Sequence, residues 1–151
     1  MKALTSIEPQ RNVSVILAEL TTDGDWSGIT ESGTLGATIA FGELVYFKSA
    51  DSKWYKADSS DATKSGDVKL SICIVAGINN EPSVFLLFGK VRADSLFPTL
   101  TPTSPVFIST TPGSITHTPT STTDYVNRRI GYGNSANELY FNPSNDYFTY
   151  L

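Results

Sequence analysis

The sequence predicts an all-β fold: a single β-sandwich or barrel-like domain with an extended N-terminal arm and a short aromatic C-terminal tail. Three observations carry that reading. In Val68-Lys69-Leu70-Ser71-Ile72-Cys73-Ile74 every second residue is apolar, the period of a strand with one face on a core. Ser83-Val84-Phe85-Leu86-Leu87-Phe88 is a nearly continuous apolar run, as expected of a strand buried on both faces, so a second sheet or a neighbouring subunit has to cover its far side. From Ala37 onward, short β-branched and aromatic runs alternate with clusters of Gly, Pro, Asn, Asp and Ser, the texture of a sandwich or barrel of about seven or eight strands.

A chain of 151 residues fits one domain and buries enough surface to need no covalent staples. Residues 1–36 read as an N-terminal arm and loop, and residues 37–151 as the β-rich module. The arm is polar through residue 12. Val13 to Leu20 begins β-branched, which favours a strand, although its length also admits a short helix. Thr21 to Gly36 is dense in Gly, Asp, Ser and Thr and reads as a long loop pinned by Trp26. Gly42-Glu43-Leu44-Val45-Tyr46-Phe47-Lys48 and Lys53-Trp54-Tyr55-Lys56-Ala57 form a hairpin across Ser49 to Ser52, with aromatics placed for cross-strand pairs. Asp58 to Gly66 is a polar connection into the strand at Val68. The turn-forming stretch from Ala76 to Pro82 then returns the chain into the apolar run, giving a central hairpin closed by Lys90, Val91 and Arg92.

Pro105 to Thr110 is a further strand. In Thr111-Pro112-Gly113-Ser114, proline sets the first central residue of a type II turn and glycine supplies the positive φ of the second, reversing the chain into Ser114 to Thr118. Tyr125 to Tyr132 and Glu138 to Phe141 supply the last two strands, with Gly131, Gly133, Asn134 and Asn137 in or beside their turn. The body closes at Asn142-Pro143. The remaining tail carries Tyr147, Phe148, Tyr150 and Leu151, expected to be buried by a neighbouring subunit, or else folded back as an edge strand on its own sheet.

Composition bounds the partners. The net charge of −4 and pI near 4.8 argue against nucleic acid and anionic membrane. Cys73 is the one cysteine, expected in the core, with no intrachain disulfide or thiolate cluster. The start at Met1 to Pro9 lacks the apolar core of a signal peptide, and no apolar run approaches the length of a membrane span, so a soluble protein kept or assembled in a cytosol is expected. Charged residues make up 17% of the chain, against about 25% in ordinary soluble domains. Ser95 to Thr123 contains no Asp, Glu, Lys or Arg and holds five of the eight prolines, which points to a surface that meets another chain. Phe97 and Leu100 in this stretch join the four tail residues as the expected partner interface.

Few residues carry chemistry. His117, the one histidine, alternates with Thr116 and Thr118 on a strand and reads as a surface or interface residue rather than a triad base. Asp58 with Asp61, and Asp23 with Asp25, are the close acidic pairs outside the tail. Both sit in loops as turn formers, short of the ligand ladder of a calcium loop or a built pair of glycosidase carboxylates. Gly131-Tyr132-Gly133-Asn134 lacks the spacing of a phosphate loop. Arg128 and Arg129 point to opposite strand faces. No catalytic, cofactor or metal site is expected, and the chain reads as non-enzymatic.

The runs Gly42 to Phe47, Lys53 to Ala57, Leu86 to Ala93, Pro105 to Gly113, Arg129 to Gly133 and Tyr140 to Pro143 together resemble the small β-rich modules of tailed-bacteriophage virion proteins, found in head decoration proteins and at fibre ends. The resemblance covers about residues 37–151. It implies a virion structural protein on the capsid surface, assembled in the host cytoplasm, whose partners are copies of itself, as a trimer, and the major capsid protein. The chain lacks the long shaft of a fibre protein, which favours head decoration. The alternative is a fibre tip in which Trp54, Tyr55 and the late tyrosines stack on host-surface glycans.

Overall fold

The computed structural model describes residues 16–151. These form β1 (Trp26–Thr34), β2 (Leu44–Lys48), β3 (Lys53–Lys56), the helical turn α1 (Ala62–Ser65), β4 (Leu70–Cys73), β5 (Pro82–Arg92), β6 (Pro105–Ile108), β7 (Ile115–Thr116), β8 (Val126–Asn127), β9 (Arg129–Gly133), β10 (Glu138–Phe141) and β11 (Phe148–Thr149). The domain is all-β, as the alternation and turn spacing predict. Its main sheet is antiparallel and curls into a half-barrel.

The sheet is organised on β5. Along one edge β5 pairs with β1, from Trp26 opposite Val91 to Thr34 opposite Pro82. Its other edge is shared. Phe85 and Leu86 pair with Cys73 and Ile72 of β4, while Gly89 to Arg92 pair with Phe141 to Glu138 of β10. Two branches therefore leave the same edge, one running β4-β2-β3 and the other β10-β9-β6-β7. The main core lies between them: Leu44, Ile72 and Leu86 meet Val106, Ile130 and Phe141.

The branching depends on one close backbone contact. At the changeover, Gly28 of β1 lies opposite Gly89 of β5, with φ of +154° and +141°. A Cβ on Gly89 would sit 2.1 Å from the Ser27 carbonyl oxygen, and one on Gly28 would sit 2.0 Å from that of Phe88. Only glycine fits such an approach. One residue further along β1, the register shifts between Ile29 and Thr30, the local kink of a β-bulge.

A second, smaller core covers the outer face of the first branch. Leu35, Ile39, Val45, Trp54, Cys73 and Phe85 make it up, with Trp54 stacked on Phe85 at 4.7 Å. The cover over β5 is thus the chain's own segment after β1, held by Leu35 N–H donating to Glu81 O and Ile39 N–H to Gly77 O. Strand β4 is consequently buried on both faces, Ser71 and Cys73 included. This corrects the one-faced reading of that strand.

Both sequence-predicted hairpins form. In the first, Tyr46 faces Tyr55 and Phe47 faces Trp54, the latter rings 5.3 Å apart edge to face. In the second, β4 turns into β5. The type II turn also forms: Gly113 has φ +80° and Ser114 N–H donates to Thr111 O at 3.1 Å.

Three expectations are corrected. Thr21 to Gly36 is not a loop, since β1 occupies Trp26–Thr34. Trp26 is 41% exposed and pins nothing, whereas Trp54 is fully buried. Between Ile16 and Leu20 no strand forms, and Val13 to Val15, with the arm before them, lie outside the described residues. The backbone of the tail follows the second of its two expected courses and pairs with its own chain, while its large side chains stay exposed. Phe148 lies opposite Asn127 and Thr149 opposite Val126, and Tyr150 extends the ladder to Tyr125. The physical reason is the open edge of β8, whose backbone groups find partners there without a second subunit.

Candidate functional site

The acidic pairs serve the backbone. Asp25 accepts from Thr21 and Thr22 N–H, and Asp23 from Asp94 N–H. Asp61 caps α1 by accepting from Thr63 N–H and Oγ1, which holds its carboxyl below the usual carboxylate range, because those bonds favour the ionised form. Asp58 is buried rather than solvated, and it accepts from Ser60 N–H and Oγ with Lys64 Nζ 3.5 Å away. His117 is held on both sides: its Nε2 accepts from Thr101 N–H at 2.9 Å, which leaves Nδ1 to donate to Pro105 O at 2.7 Å. Each of these groups holds a loop. No cluster of three His, Cys, Asp or Glu able to hold a metal occurs among the described residues.

Of the six expected interface residues, the structure separates two from four. Phe97 and Leu100 are 9% and 2% exposed and belong to the main core, so they are unavailable to a partner. Their apolar side chains are what lets a charge-free stretch enter the core at all. Tyr147, Phe148, Tyr150 and Leu151 are instead exposed, at 41%, 58%, 40% and 97%, on a backbone that is itself paired. For glycan stacking, the burial of Trp54 removes one of the aromatics that reading needs.

Alternation along Val126-Asn127-Arg128-Arg129-Ile130 places Arg128 on the face of Val126 and Ile130, and in the structure it is buried with them at 6% exposure. Arg129 points outward over the Tyr132 ring. The Arg128 guanidinium donates to backbone carbonyls from two directions: Nε to Ser144 O at 2.8 Å, and Nη1 to Gly66 O, to Val68 O at 2.8 Å and more weakly to Ser65 O. It thereby ties the end of α1 and the start of β4 to the segment leading into the tail. Burial pulls its pKa down from the usual arginine value, opposed by Asp67 and then Tyr147. Alternation sets Arg128 and Arg129 on opposite faces, and the apolar neighbours Val126 and Ile130 mark the face of Arg128 as the core side.

Arg128 forms part of the wall of a cleft of about 470 Å³ whose rim includes Asp67 and Asn145. The cleft lies between the start of β4, the middle of β5 and the segment after β10. A buried charge and an open concavity coincide there.

Cys73 is wholly buried in the second core, and burial pushes its thiol pKa up, against the opposing contacts of Ser83 and Val75. Iodoacetamide at neutral pH is therefore expected to leave Cys73 unmodified in the native protein and to alkylate it fully in denaturant, read by intact mass. Rapid native labelling would show that the residue 35–39 cover opens readily.

No helix among the described residues is long and apolar enough to cross a membrane. No family model, no curated protein and no solved structure matches this chain.

Proposed function

We propose that this chain is a non-enzymatic structural protein of a bacteriophage virion, acting through protein–protein contacts as a head decoration protein. The observation that supports the reading is the tail: four large apolar side chains project into solvent from a backbone fixed by β11–β8 pairing. Backbone pairing orders the segment before any partner arrives, which lowers the entropic cost of docking it. Side chains so placed suit contact with a neighbouring copy or with a capsid protein better than catalysis.

The test has two arms. Locating the protein in imaged virions should find it on the head in many copies, and its presence only at a tail tip would refute the proposal. Replacing Phe148 and Tyr150 by Ser should abolish assembly, seen as a smaller species in sedimentation or as loss from purified virions. Unfolding free energy should fall by no more than about 1 kcal/mol, because these side chains are not core residues. An unchanged sedimentation profile together with unchanged virion incorporation would remove the tail from the interface.

A further inference from the structure

We propose that the cleft beside Arg128 is a binding site for a small monocarboxylate with a short apolar body. Arg128 is a buried cation, and among the described residues no carboxylate lies within ion-pair distance of it. Carbonyl dipoles at Ser65, Gly66, Val68 and Ser144 occupy Nε and Nη1, whereas Nη2 has no hydrogen-bond partner among the described residues. A buried charge is ordinarily paired, and a guanidinium with a free nitrogen is well matched to a carboxylate oxygen. The cleft leaves room for that missing partner, since about 470 Å³ is the size of an ordinary small-ligand site.

The walls decide the rest of the ligand. Leu70, Leu87 and Pro143 give an apolar lining, suited to a short hydrocarbon or ring. Asn145 stands at the rim and can donate an amide N–H to the second carboxylate oxygen. Lys69 also lines the cleft, but its ammonium is already paired with Glu31 at 2.5 Å. Asp67 is the opposing charge. It is exposed at the rim, and it sets the limit on anion charge: a dianion such as sulfate or phosphate would be repelled more strongly than a single carboxylate. The site is independent of the virion reading, and either can fail without the other.

The experiment is a titration of the isotopically labelled full chain with sodium butyrate, sodium sulfate and methyl glucoside, followed by NMR at the Arg128 Nε–H and at the amides of Asp67, Val68 and Asn145. Butyrate should give saturable shifts, with a dissociation constant on the order of 1–10 mM for one charge-assisted contact and a small apolar body. Sulfate should bind more weakly, and the glucoside should not bind. Two rim variants, both at exposed positions, keep the test sharp should Arg128 variants fail to fold. Asp67→Asn should tighten butyrate binding about threefold or more by removing a like charge, and Asn145→Asp should weaken it by a similar factor. Absence of saturation by butyrate, preference for sulfate or for the glucoside, or a Asp67→Asn variant that binds no better would each overturn the proposal.

Discussion

Gly89→Ala is expected to cost about 4 kcal/mol or more of unfolding free energy. The added Cβ would meet the Ser27 carbonyl oxygen at 2.1 Å and the Gly28 Cα at 2.7 Å. Both are backbone atoms within a paired ladder, so the clash cannot be relieved by turning a side chain. Moving β1 away breaks its pairing with β5, and moving β5 disturbs the point where its other edge passes from β4 to β10. The residue would in addition hold a φ of +141°, which L side chains rarely adopt. Urea unfolding followed by tryptophan fluorescence checks the expectation. Gly24→Ala is the control, because Gly24 also has positive φ but no atom within 4 Å of the added Cβ, so it should lose only about 1 kcal/mol. Equal losses in the two variants would mean that the close approach at Gly89 contributes nothing beyond φ.

Arg128→Met is expected to cost about 3–5 kcal/mol. The substitution keeps an apolar stem but strips donors from the carbonyls of Ser65, Gly66, Val68 and Ser144, and each acceptor left buried without a donor carries its own desolvation penalty. Arg128→Lys keeps the charge but has a single nitrogen, which cannot reach Ser144 and the 65–68 turn at once, so an intermediate loss is expected. Besides the melting temperature, limited proteolysis should show the Met variant cleaved first in the segment after Pro143, because Arg128 is what fastens Ser144 to the body. A Met variant as stable as the parent would mean that water replaces the guanidinium without loss.

The parts of this fold that were legible in the sequence are those in which side chains alone set the conformation. Alternation and aromatic content mark the β2–β3 hairpin, and Pro112-Gly113 marks the turn between β6 and β7, because those two residues restrict φ directly. Strand β1 was unreadable for the opposite reason. Its Ser and Gly residues, which break up the β-branched pattern, have little strand preference of their own, and β5 supplies the pairing that makes the segment a strand. Gly33 looks like a loop residue, yet a Cβ there would lie 2.7 Å from Trp54 Nε1, so its lack of a side chain is what admits the buried indole. The exchange of roles between Trp26 and Trp54 follows from the same contact. In the candidate cleft, Arg128 was placed on a face correctly, but the convergence of four carbonyls on it depends on segments distant in sequence, which no local pattern records.

The shared edge of β5 has a consequence for how this chain reaches its native state. Thr34 must find Pro82, and Val91 must find Leu139, so the ladders that define the half-barrel join segments far apart along the chain. Closing such loops is entropically costly before any contact repays it, and proteins built this way fold in milliseconds to seconds rather than microseconds. During synthesis, β2 to β5 can pair early, but the inner face of β5 stays wet until Phe141 has been made. For that interval Leu86 and Val91 are open to other nascent chains, and a chaperone that shields a bare strand would act on this protein before its second branch arrives.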